Sequence, residues 1–321
     1  MKKLVIWAIV LGCGAYFGSK MLLHHKVGKG VDGALLMMSP FANIEYEGVS
    51  STMSGELTID GITMRVIGYN DEIRIDRIGI DTPSYFSLLN LTDIAENIHS
   101  PDEVIPESFG FIAEGVRMRV NSDYMKEIHR ERINALNVSD IGAPAAECAG
   151  KYGYSPRALS KLGYSEQVAS VSAHFKRGHG DYSILIASSI EDMWSIDGEL
   201  TLAGDMISEV SKGSRYRPRM KAMHIEYEDL SLNERVRKYC GSLGLSDDEI
   251  LQAQLDTLHF FGKENGIEFD EYVIDPFTQF LNGKSRLVVT ANPREPIAIS
   301  QISLYKPSDV PALLELSAEA Y

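Results

Sequence analysis

The chain has 321 residues, 44% hydrophobic and 24% charged, a composition that supports a sizeable core and excludes wholesale disorder. Its formal charge of −14 is unevenly spread: residues 1–29 hold five lysines and no acid, leaving 26 basic against 45 acidic residues, a net of −19, in the remainder. A body that negative repels phosphate backbones at long range, which excludes nucleic acid as a partner.

The N-terminus reads Met1-Lys2-Lys3 and then runs without a charge from Leu4 to Ser19, with Met21-Leu22-Leu23 continuing the apolar stretch after Lys20. A spanning helix needs roughly 17–25 apolar residues, and Lys20 can snorkel to the headgroups. Three fates fit a basic start followed by an apolar core: an uncleaved anchor, a cleaved secretory signal, and a lipoprotein processed at Cys13, where Val10-Leu11-Gly12-Cys13 resembles a lipobox. The anchor fits best, because the apolar residues continue past Cys13. All three export the body, so the expected location is the inner membrane, crossed once, with the bulk of the chain in the periplasm.

Residues 1–30 are thus expected to be anchor and linker, and residues 31–321 one exported domain. After a short apolar segment at Val31–Met38 the periodicity switches to two. Leu57, Ile59, Ile62, Met64 and Val66 alternate with polar residues, with a slip at Gly61 where a bulge or turn belongs; Ile73, Ile75, Ile78 and Ile80 repeat the pattern. Such alternation leaves one face apolar and one wet, as in an antiparallel meander. Gly110–Val120 supplies another strand, and Ser122 or Asp123 can cap a helix over Tyr124–Leu136.

A second block of strands is expected at Val168–Lys176, Tyr182–Ser188, Met193–Ala203 and Lys221–Tyr227. Helices follow at Leu230–Leu243 and Asp247–Phe261, the latter opened by a capping box of Ser246 and Glu249. Strands return at Ser285–Asn292 and Ile297–Tyr305, and Ser308 caps a last helix over Val310–Ala320. Gly55-Glu-Leu-Thr-Ile recurs as Gly198-Glu-Leu-Thr-Leu, which raises two related halves, 31–165 and 166–321. The fold expected is α+β: an N-terminal transmembrane helix, then a mainly antiparallel, curved β-sheet with inserted helices.

No catalytic, cofactor or metal set stands out. Gly28-Lys-Gly-Val-Asp-Gly33 matches a dinucleotide fingerprint in letters, but an apolar segment precedes it instead of a strand. Gly283-Lys284-Ser285 lacks the glycine a phosphate loop needs five positions earlier, where Thr278 stands, and reads as a hairpin turn. The eight histidines show no i,i+4 pair, although His174, His179 and His224 lie on or beside strands. Cys148 and Cys240 are the body's two cysteines. Bonded, they close a 92-residue loop worth about 4–5 kcal/mol; the alternative is two buried thiols.

The one local anomaly is a row of alternating cations, Arg215, Arg217, Arg219 and Lys221, which an extended chain presents on one face. Such a row suits the phosphates of a lipid headgroup or glycan. The plainer reading is an edge strand protected by charge and Pro218, paired with Glu226 and Glu228.

The basic-apolar start, the opening Gly55-x-Leu-x-Ile-x-Gly-Ile62 and the run Ile73-x-Ile-x-x-Ile-x-Ile80 together resemble the start of AsmA-like bacterial envelope proteins, over residues 1–120. The resemblance implies an anchored periplasmic protein with a long curved sheet and a part in lipid handling or envelope homeostasis. It transfers no functional residue. The partners expected are the membrane, through the single N-terminal helix, and a lipid or another envelope protein. A non-catalytic lipid-handling role is the first reading, an assembly module the second, and a hydrolase the third.

Overall fold

The computed structural model describes residues 36, 38–88, 106–136, 144–151, 153–204 and 218–321. Among these residues twelve strands form one antiparallel sheet: β1 (Ala42–Glu45), β2 (Gly48–Ser51), β3 (Glu56–Val66), β4 (Glu72–Asp81), β5 (Ser108–Arg119), β6 (Glu166–Arg177), β7 (Asp181–Ile190), β8 (Trp194–Ala203), β9 (Arg219–Asp229), β10 (Arg286–Ala291), β11 (Ile297–Ala298) and β12 (Leu316–Ala320). The order is β1-β3-β4-β5-β6-β7-β8-β9-β10-β12, with β2 on β3 and β11 on β9. Sequence neighbours are mostly spatial neighbours, so the sheet is a meander whose two ends do not close on each other.

The slip at Gly61 is shared by three strands. On β3 the apolar parity changes between Ile59 and Ile62, and on β4 between Ile78 and Ile75, so these two strands stay in register across the change. On β5 it changes between Ala113 and Val116, and the mismatch with β6 is absorbed there as a bulge. Gly61 (φ +63°) and Gly115 (φ +62°) supply the left-handed residues that the kinked β3 and β5 require.

Helices cover the sheet unevenly. They are α1 (Asp123–Leu136), α2 (Pro144–Cys148), α3 (Pro156–Lys161), α4 (Leu232–Ser242), α5 (Asp247–Glu264), α6 (Glu271–Leu281), α7 (Ile299–Ile302) and α8 (Val310–Leu313). Ser122 Oγ accepts from the Met125 amide at 3.1 Å at the start of α1. Ser246 and Glu249 form the full capping box on α5. One core cluster joins α2, α3, α4 and α5 through Cys148, Leu159, Val236, Cys240 and Ile250. A second seats Phe280 and Leu281 of α6 on Leu287 of β10, and a third packs Val310 and Leu314 over β6–β10.

The expected fold class needs correcting. Among the described residues no helix is long and apolar enough to cross a membrane. The longest helix among them, α5, has 18 residues and carries Asp247, Asp248, Glu249, Asp256, Lys263 and Glu264, so only one stripe of it is apolar. The segment Leu4–Leu23 lies outside the described residues, as do residues 31–35 of the short apolar segment that follows it. Among the described residues the structure is an open antiparallel sheet with helices.

Local expectations fail at the C-terminus. Residues 310–320 divide into α8 and β12, because Glu315 adopts φ +45° and ends the helix, after which Leu316, Ala318 and Ala320 alternate onto β10. The strand expected at Ile297–Tyr305 is only two residues of β11 followed by α7. Helix α6 was not expected at all; Pro276 lies inside it, yet Val273, Phe280 and Leu281 form its buried face. Gly283 consequently turns a helix into a strand, and no hairpin forms there.

Candidate functional site

Strand pairing sorts side chains into ranks that cross the sheet. One rank reads Leu57, Ile80, Phe111, Ala173, Ile186, Gly198, Ile225, Val289 and Ala318, in β3 through β12 order. The next reads Ile59, Ile78, Ala113, Val171, Ser188, Ile196, Tyr227, Leu287 and Ala320. Both belong to one face, which is therefore apolar from edge to edge.

That face is covered at its margins. Tyr227 is capped edge-on by Phe280 at 5.4 Å, Leu57 by Tyr85 and Leu88, and the rank of Phe109, Phe175, Ile184, Leu200 and Met223 belongs to the cluster holding α8. In the middle the apolar side chains meet solvent: Phe111 is 42%, Val171 39% and Ile186 47% exposed. Between these large residues stand small ones, Ala113, Ala173, Ser188 and Gly198, so the open area is grooved. With strands about 4.8 Å apart, the open stretch from Phe111 to Gly198 spans roughly 14 Å.

The opposite face is an ion-pair lattice. Arg65 bridges Glu45 (3.5 Å) and Glu72 (3.1 Å), Arg77 bridges Asp60 (3.2 Å) and Glu114 (3.8 Å), and Arg117 pairs with Asp76. Hydrogen bonds from Arg74 and Arg65 hold the Glu72 carboxyl below its ordinary value. These pairs are exposed and each contributes little, but together they leave one wet face and one dry one. The expected two-faced meander is thus present, with the dry face incompletely covered.

The residues singled out in the sequence fall in three places. Cys148 and Cys240 are bonded, with Cα atoms 5.9 Å apart, and both are fully buried where α2 meets α4. Arg215 and Arg217 lie outside the described residues. Arg219 and Lys221 are both engaged: Arg219 donates to the Pro296 carbonyl at 3.2 and 2.9 Å, and Lys221 pairs with Asp181 at 2.8 Å. The carboxylates of that strand look elsewhere, Glu226 pairing with Arg286 at 2.7 Å. His174 on β6 and His224 on β9 are separated by β7 and β8, and His179 sits in the β6–β7 turn, so the three do not converge.

A family model described as "Uncharacterized protein" matches residues 189–321, which run from the end of β7 through β12 and include Cys240 but not Cys148. No curated protein matches the chain. The matched segment holds the helix-covered end of the sheet, whereas the open centre lies mostly N-terminal to it.

Proposed function

We propose that this is a non-catalytic, exported envelope protein that holds the acyl part of a lipid against the open centre of its apolar sheet face. The observation that carries the reading is the groove itself. Phe111, Val171 and Ile186 are exposed on the adjacent strands β5, β6 and β7, with Ala173 between Phe111 and Ile186 and Gly198 beyond Ile186 on the same face. An acyl chain is the occupant that suits it, because the groove offers apolar contact and its backbone hydrogen bonds are already satisfied within the sheet. Its length of roughly 14 Å across β5–β8 is close to the ~15 Å hydrocarbon of one bilayer leaflet, so most of an acyl chain fits.

Export is supported by the buried Cys148–Cys240 bond, since such bonds persist outside the cytoplasm. The resemblance of residues 1–120 to AsmA-like proteins agrees with both parts of the reading. An assembly module is favoured less: helices α5 and α6 cover β9, β10 and β12 and leave the apolar centre open.

A photo-reactive palmitate added to membranes holding the full chain tests the proposal. Cross-links in peptides of β5–β8 are expected. Labelling confined to residues 4–23, or spread over the ion-paired face, overturns it, as does cross-linking of residues 89–105 or 205–217 onto Ile186.

A further inference from the structure

A second concavity lies away from the sheet groove. Helices α2, α3 and α4 surround a cleft of about 1070 Å³, the size class of small-molecule sites. Six charged side chains line it: Arg157 and Lys161 from α3, Arg235 and Lys238 from α4, and the acids Glu147 and Glu234. The local balance is thus positive in a body of net −19.

The arrangement follows from helical spacing. Arg157 and Lys161 stand four residues apart on α3, and Arg235 and Lys238 three apart on α4, so each helix turns two cations to the same side. Like charges at that spacing cost a few tenths of a kcal/mol in an isolated helix; Glu234, four residues before Lys238, offsets that cost on α4, whereas α3 holds no acid. Among the described residues no carboxylate forms an ion pair with Arg157, Lys161 or Lys238. Glu147 is engaged with Ser155, whose Oγ donates to it at 3.0 Å.

The cleft is also held still. Arg235 lies over the Tyr164 ring at 4.5 Å and donates to Ser231 Oγ at 3.0 Å and to the Leu162 carbonyl at 3.2 Å. Its guanidinium is therefore oriented before any ligand arrives. The buried Cys148–Cys240 bond fastens α2 to α4, each cysteine next in sequence to a lining residue, Glu147 and Tyr239. Helix α3 is set by the Ser155 cap, which accepts from the Ala158 amide at 3.0 Å.

We propose that this cleft binds a phosphate-bearing small ligand, held between the cation pairs Arg157/Lys161 and Arg235/Lys238. Arginine forks and lysine point charges on facing walls are the donor set that phosphate groups require, and a multiply charged group relieves both like-charge pairs at once. The site is independent of the sheet groove.

Isothermal titration of the full chain with inorganic pyrophosphate tests the site. Saturable binding is expected, weakened at least tenfold in Lys161→Gln/Lys238→Gln and unchanged in Arg219→Gln/Lys221→Gln, which removes cations from β9. Absence of saturable binding overturns the proposal, and so does equal weakening by both variants. Circular dichroism of the variants separates lost charge from lost fold. Water-soluble dihexanoyl phosphatidate identifies the source: tighter binding than pyrophosphate assigns the cleft to a lipid headgroup, and equal or weaker binding to a free phosphorylated molecule.

Discussion

Reducing the Cys148–Cys240 bond should destabilise the protein without a change in sequence. The bond closes a loop of 92 residues, and on the chain-entropy model its loss frees the unfolded chain by about 4–5 kcal/mol. That loop contains β6 through β9, so the bond limits how far the sheet's centre can drift from the helices α2 and α4 when the fold opens. With a urea slope of about 3 kcal/mol per molar, the midpoint should fall by roughly 1.5 M. The assay is urea unfolding of the full chain by circular dichroism, with and without a strong reductant, alongside a Cys148→Ala/Cys240→Ala variant. The variant should unfold early in both conditions and ignore the reductant. A wild-type midpoint that ignores the reductant would refute the reasoning, and alkylation of Cys148 or Cys240 in urea before reduction would do the same.

Gly115→Ala should cost about 2 kcal/mol, because φ +62° forces a side chain into the left-handed region and its Cβ would overlap the Asp76 carboxylate. Gly198→Ala, whose Cβ would meet nothing nearer than 3.7 Å, should be close to neutral in the same urea assay. Ser246→Ala removes the acceptor for the Glu249 amide and should cost about 1 kcal/mol, read as faster hydrogen exchange in the first turn of α5. Burial pushes the Tyr154 and Tyr227 phenols well above their ordinary value. Their stabilisation is therefore complete below the unfolded pKa of about 10 and is lost as pH rises beyond it. Absorbance at 295 nm should show two tyrosines that ionise only together with unfolding, and their titration in the folded protein would contradict this.

How much was legible in the sequence depended on whether period or distance decided the element. The alternation in Leu57–Val66 and Ile73–Ile80 announced both strands and their dry face, since side chains two apart must share a side. The kink at Gly61 was visible as a lost beat, although its continuation through β4 to Gly115 is a property of paired strands that one strand cannot display. Ser246 and Glu249 gave the start of α5 because capping is a local exchange of hydrogen bonds. Helix α6 was hidden by Pro276, whose helix-breaking tendency outweighed a buried face of Val273, Phe280 and Leu281. Strand β12 was hidden because Val310, Leu313 and Leu314 start a helical pattern that Leu316 and Ala320, four apart, can continue, and pairing with β10 settles the choice.

The candidate site was less legible than the fold. Phe111, Ala173, Ile186 and Gly198 come from four strands spread over 88 residues, and only register puts them in one rank. The alternating cations drew notice because they are consecutive, yet Arg219 and Lys221 are spent on Pro296 and Asp181. The cations of the cleft are split between two helices, so no single segment displays the set; only the four-residue spacing of Arg157 and Lys161 is a local signal of it.

Filling the groove without charging it shows whether an acyl chain lies across β5–β8. Gly198→Leu places a side chain between Ile186 and Ile225 at a position whose Cβ has ordinary clearance; Leu185→Asp alters a residue 40% exposed on the opposite face. Half-burying the methylenes of palmitate contributes roughly 6 kcal/mol before association costs, so a blocked groove should lose most of its binding. Photo-reactive palmitate should label the Gly198→Leu protein at less than about a tenth of the wild-type level and leave Leu185→Asp unaffected. Equal labelling of all three proteins would contradict the account.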